Sequence, residues 1–154
     1  MPRSVLLGIC FASGAMLGIL GTALHGSIWM LGSDPTSAAM LPWGAALALL
    51  IQLLALLWAG TTGRSLVEPM LLGSTTFTVA TIAYLWPGPD QLVVPFASQT
   101  WEALPGSVLA SLIWWLGTAV ITLIGMLVVK WVLVADVAEE ATEQPLRQVD
   151  WEAL

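Results

Sequence analysis

The chain alternates between long apolar runs and short polar breaks. The first run, Val5 to Leu24, contains no charged residue. The segment from Gly26 to Ala39 follows it, with Ser, Gly and the turn dipeptide Asp34-Pro35. A second run, Leu41 to Trp58, has Gln52 as its strongly polar member. Ala59-Gly60-Thr61-Thr62-Gly63-Arg64 then reads as a tight connection. The third run, Leu66 to Trp86, stops at Pro87-Gly88-Pro89-Asp90. The next connection, to Gly106, holds Val93-Val94-Pro95-Phe96 and Trp101-Glu102-Ala103-Leu104, apolar enough to lie along a membrane surface. The last run extends from Ser107 to Ala135, and a polar tail from Asp136 to Leu154 follows. A bilayer-spanning helix needs ~20 predominantly apolar residues. The pattern therefore predicts an all-α, polytopic membrane protein with four transmembrane helices, at about 5–24, 41–58, 66–86 and 107–135.

Composition removes the soluble alternative. Of 154 residues, 58% are hydrophobic and 9% charged, with a mean hydropathy of +0.89. Soluble domains carry about a quarter charged residues, and a chain this short has no material for a polar shell around four such helices. A single Cys and a single His exclude a disulfide framework and a Cys/His metal cluster. Four cations against ten carboxylates leave no basic stripe for nucleic acid. Trp43 and Trp58 are 15 residues apart, ~22 Å along a helix. Trp114 and Trp131 are 17 apart, ~26 Å on the same rise. Both separations approach the ~30 Å hydrocarbon core, with the Trp rings at its boundaries. Nine Trp exceed what four thin helices can enclose, so some are expected to face lipid or partner subunits.

The cations set the orientation. Arg3, Arg64, Lys130 and Arg147 fall before the first run, between the second and third, and near or after the end of the fourth. Four spans bring all of them to one side, which the positive-inside rule makes cytoplasmic. Lys130 can snorkel its ammonium to the headgroups. Met1-Pro2-Arg3 with Gly21-Thr22-Ala23 resembles a signal peptide. The run is too long for one, however, and Ile9 before Cys10 spoils a lipobox, so the first span is retained.

Several residues invite a chemical reading. Gly14, Gly18, Gly21 and His25 share one helical stripe, and Gly14-x-x-x-Gly18 allows close helix approach. Packing within the chain is the expected use, with docking of a separate subunit as the alternative. His25 is expected to bond a loop carbonyl, because nothing else supplies the ligands a metal needs. Ser74, Thr78 and Thr81 form a hydroxyl stripe beside Thr75 and Thr76. Such hydroxyls commonly bond carbonyls or a neighbouring helix, although a solute pathway would use the same groups. Ser65-x-x-Glu68 matches a capping box, with Pro69 in the first turn. Gln52 reads as an interhelical hydrogen bond.

The tail concentrates the charge. Asp136, Glu139, Glu140, Glu143, Asp150 and Glu152 against Arg147 supply five of the six net negative charges. An acidic segment is repelled by an anionic leaflet, so it is expected either to be solvated or to dock on a basic cytoplasmic surface. Docking would use Glu139, Glu140, Glu143, Trp151 and Leu154.

The string Gly21-Thr22-Ala23-Leu24-His25, a short second connection with one Arg, and Trp86-Pro87-Gly88-Pro89-Asp90-Gln91-Leu92-Val93-Val94-Pro95 resemble a family of small four-span membrane proteins of actinobacteria. That family shows a Gly-rich first helix ending near a Thr-x-x-His string, and an Arg-Pro-Glu-Gly-Asp-type loop after the third helix. The likeness covers about residues 5 to 128. Trp86 and Gly88 stand where Arg and Glu would be expected. The resemblance implies four spans in a bacterial plasma membrane and carries no activity to transfer.

The expected function is a non-catalytic accessory or assembly subunit of a larger membrane complex, with a respiratory-chain assembly as its most specific form. Its contacts are other integral membrane subunits and lipid, and no cofactor is expected. Contact residues are expected to be Gly14, Gly18, Gly21, Trp114, Trp115 and Trp131. The rival is a small carrier or channel using the third helix with Gln52 and Glu68.

Overall fold

A computed structural model describes residues 2–31, 39–87 and 93–149, and their side chains except at 30–31, 39 and 140–149. The described chain is all-α with one short hairpin. Its five helices are α1 (Arg3–Leu24), α2 (Trp43–Gly63), α3 (Val67–Leu85), α4 (Ser98–Ala103) and α5 (Pro105–Val149). Strands β1 (Trp29–Leu31) and β2 (Ala39–Leu41) pair antiparallel, with Trp29 opposite Leu41. The sequence pattern treats this region as a loop. Two apolar triplets flanking a polar stretch supply the pairing, and each is too short to register as a run.

Among the described residues three helices are long and apolar enough to cross a membrane: α1, α2 and the part of α5 from Pro105 to Glu139. The third run also forms a helix, α3, of 19 residues. Glu68 and the hydroxyls of Ser74, Thr75, Thr76, Thr78 and Thr81 make it more polar than the others. It packs against α1, α2 and α5. It ends where Trp86 turns extended (φ −61°, ψ 119°), because Pro87 disfavours the helical region for the residue before it.

Two boundaries differ from those the sequence pattern suggests. Ala59 to Gly63 belong to α2 and are not a connection. The Thr61 hydroxyl bonds back to the Leu57 and Trp58 carbonyls, so its polarity is absorbed within the helix. The turn is confined to Arg64, Ser65 and Leu66. Arg64 takes the left-handed conformation (φ 47°, ψ 39°), and its N–H and that of Ser65 both reach the Gly60 carbonyl. That arrangement closes a helix end by satisfying its last carbonyls.

The second difference is at Ala135, where α5 does not stop. It continues to Val149, for 45 residues in all, or ~67 Å at 1.5 Å per residue. The tail is rich in Ala, Glu and Gln, strong helix formers, and extending an existing helix avoids the cost of nucleating one. Trp151 and Leu154 lie outside the described residues.

The interior holds two apolar clusters. One is Leu6, Cys10, Leu56, Ala59 and Leu72; the other is Ala45, Ala48, Ala80 and Trp114. Small residues bring the backbones close, as expected where lipid removes the hydrophobic drive between helices. A Cβ on Gly14 would lie 2.5 Å from the Leu72 carbonyl oxygen, and one on Gly18 would lie 2.6 Å from Val79 Cβ.

Candidate functional site

Among the described residues no three of His, Cys, Asp and Glu converge to hold a metal. The buried polar groups instead form three separate hydrogen-bonding centres along the bundle.

The first lies where α1 ends. His25 is 2% exposed, and its Nδ1 faces the Thr22 carbonyl while Nε2 faces the Ser111 hydroxyl at 3.3 Å. Ser111 Oγ also accepts the Val94 N–H at 3.1 Å. The Trp114 indole fills the space beside Gly21, where a Cβ would overlap the ring, and its N–H donates to Thr22 Oγ1 at 3.2 Å. Burial holds the His25 imidazole below its ordinary pKa, opposed in part by the Thr22 carbonyl. The expected loop-carbonyl partner is thus a carbonyl of α1 itself, and a second partner, Ser111, comes from α5.

The second centre lies mid-bundle. Gln52 of α2 donates from Nε2 to the Thr118 carbonyl at 3.2 Å and to Thr122 Oγ1 at 3.1 Å. Its Oε1 is buried without a hydrogen bond. Thr76 of α3 donates to the Gly14 carbonyl of α1 at 3.1 Å. Each bond ties one helix to another. Ser111, Thr118 and Thr122 were not singled out by the sequence pattern, although their spacing of seven and four residues puts them on one face of α5 with Trp114.

The third centre lies at the opposite end. Glu68 is 1% exposed, and its Oε1 lies 3.5 Å from Nε of Arg3. Its Oε2 is buried without a hydrogen bond, and the carboxyl packs against Gly63. The capping box expected from Ser65-x-x-Glu68 is replaced: α3 begins at Val67, whose N–H donates to Ser65 Oγ at 3.1 Å. The carboxylate is drawn inward to Arg3, a partner 65 positions away that no local pattern reveals. Arg64 pairs with Asp136 at 3.8 Å at the same end. Lys130 lies beside Leu66, Leu133, Val134 and Val137 in an open groove there.

The hydroxyl stripe of α3 is largely turned back on its own helix. Ser74 and Thr75 donate to the Leu71 carbonyl, and Thr78 donates to Ser74 O. Thr81 accepts the Trp115 N–H at 3.0 Å. Trp115 stacks on Tyr84 with centroids 4.5 Å apart.

The remaining expected contact residues face outward. Trp131 is 83% exposed and borders an apolar depression with Leu127, Val128, Val132 and Ala135. Glu139 is exposed on the extension of α5, while the side chains of Glu140 and Glu143 lie outside those described. No family model, curated protein or solved structure matches the chain.

Proposed function

We propose that this chain is a non-catalytic accessory or assembly subunit of a larger complex in a bacterial plasma membrane. In this reading α1, α2, α3 and α5 all span, and both termini are cytoplasmic. The clustering of Arg3, Arg64 and Lys130 at one end of the bundle supports that orientation through the positive-inside rule. A respiratory-chain assembly is the most specific form of the proposal.

The observation that carries it is the character of α5. Its outer face leaves Leu127, Trp131 and Val134 each more than half exposed. The helix then continues beyond Asp136 for about 20 Å, by the 1.5 Å rise, as an acidic extension. An apolar stripe on a helix that runs on into a segment of acidic sequence suits a membrane partner that also presents a basic cytoplasmic surface. The interior, by contrast, spends its polar groups on helix-to-helix bonds. Its α3 hydroxyls are largely committed to carbonyls, which favours packing over a carrier.

The test is site-directed photo-crosslinking in the native membrane with the probe at position 131, against a probe at position 8. Gly8 has nothing within 4 Å of a Cβ and lies on α1, away from the α5 stripe. The proposal expects one partner subunit captured in stoichiometric yield from position 131 and not from position 8. Lipid adducts alone from both positions would contradict it.

A further inference from the structure

His25 closes the end of α1, and its hydrogen bonds have a direction. With Nδ1–H donating to the Thr22 carbonyl, the neutral ring offers Nε2 as an acceptor for the Ser111 hydroxyl. Ser111 Oγ then accepts the Val94 N–H. The chain runs one way, from Val94 through Ser111 to His25. It fastens residues 93–97 to the bundle at the point where Val93, 1% exposed, is inserted. A second tie is the Phe96 N–H, which donates to the Tyr84 hydroxyl at 3.1 Å.

We propose that His25 and Ser111 form a proton-sensitive latch: neutral His25 holds residues 93–97 onto α1 and α5, and protonation releases them. A proton on Nε2 turns this acceptor into a donor. Ser111 must then accept from both Nε2–H and Val94 N–H, and its own hydroxyl proton loses its acceptor. The ring also gains a full charge in a site closed to water, which costs heavily without a counter-ion.

The described charged groups do not offer one. On α1 the charge is Arg3, on α2 the nearest is Arg64 at its C-cap, and on α3 it is Glu68. On α5 the described charges are Lys130, Asp136 and Glu139. All of these belong to the opposite end of the bundle or to the extension. At the His25 end stand Tyr84, which binds Phe96, and the exposed Glu102 of α4. Asp34 and Asp90 lie outside the described residues. Because burial depresses the His25 pKa, the closed form binds fewer protons than an open form with an ordinary imidazole. Closure is therefore fully favoured above the ordinary His value of about 6.5 and weakens as pH falls below it.

The experiment is hydrogen–deuterium exchange on the full chain in nanodiscs, from about pH 7.5 to about pH 4.5, a range bracketing ordinary His. Rates for residues 93–97 are corrected for intrinsic exchange. Protection should be level at the upper end, then fall by up to about tenfold per pH unit, the limit for one linked proton. Amides of α2 should keep their protection throughout. His25→Gln should remove the pH dependence, and Ser111→Ala should lower protection at neutral pH. Asp34→Asn with Asp90→Asn should leave the slope in place. A wild-type profile without slope overturns the latch, as does a slope that survives in His25→Gln or disappears in the Asp double variant. Parallel loss of protection in α2 would mean global unfolding and would overturn it equally.

Discussion

Replacing Gly14 by Ala puts a methyl group where α1 and α3 meet backbone to backbone. The new Cβ would lie 2.5 Å from the Leu72 carbonyl oxygen and 3.0 Å from Thr75 Cβ. Backbone cannot swing aside as a long side chain can, so α1 must retreat by about 0.9 Å to reach ordinary van der Waals separation. Overpacking of this kind costs about 1–3 kcal/mol. The retreat also stretches the Thr76 hydroxyl bond to the Gly14 carbonyl, now 3.1 Å, and such membrane bonds contribute ~0.6 kcal/mol. A loss of about 1.5–3.5 kcal/mol follows from these two effects together. Gly8→Ala is the matched control, because it makes the same change in α1 where no atom lies within 4 Å. Both variants can be compared with wild type by reversible unfolding in mixed micelles, followed by Trp fluorescence. Equal stability of the two would refute the close α1–α3 contact on which the bundle is built.

Further outcomes follow from the buried polar groups and from α5. Gln52→Leu should change stability by no more than about 1.5 kcal/mol in the same assay, since it gives up two bonds of ~0.6 kcal/mol each and also removes an orphaned oxygen. Arg3→Ala should destabilise the fold by leaving Glu68 buried and unpaired, and adding Glu68→Gln should recover most of that loss in a double-mutant cycle. Strictly additive effects would deny the pair. Trp131→Ala should leave unfolding within about 0.5 kcal/mol of wild type, as exposed positions do, while lowering recovery of the partner subunit on purification. A large loss of stability would mean that Trp131 belongs to the fold and not to a contact.

How far the sequence reaches depends on the range of the forces involved. The apolar runs at Val5, Leu41, Leu66 and Ser107 each become a helix, and the three that are long and apolar enough to cross a membrane satisfy their backbone hydrogen bonds internally by doing so. The Gly14, Gly18 and Gly21 stripe is equally legible, since 3.6-residue periodicity fixes which positions face together. Its neighbours are not: Leu72, Val79 and Trp114 come from two different helices. Ala59 to Gly63 look like a break by composition, yet Thr61 bonding back to Leu57 keeps them helical. The burial of Glu68 is hidden for the opposite reason. Its local pattern fits a cap well, whereas the cation it faces, Arg3, lies 65 positions away. Continuation of α5 past Ala135 was readable in the Ala and Glu content of the tail, but charge density obscured it.

As proposed, this bundle is one part of a larger assembly. Native mass measurement of the complex extracted under mild conditions tests it most directly. The expected species contains one or more copies of the 16.3 kDa chain together with different, larger subunits that separate from it on activation. A species of the 16.3 kDa chain alone, or an integral multiple of it with only bound lipid, would rule out the subunit role.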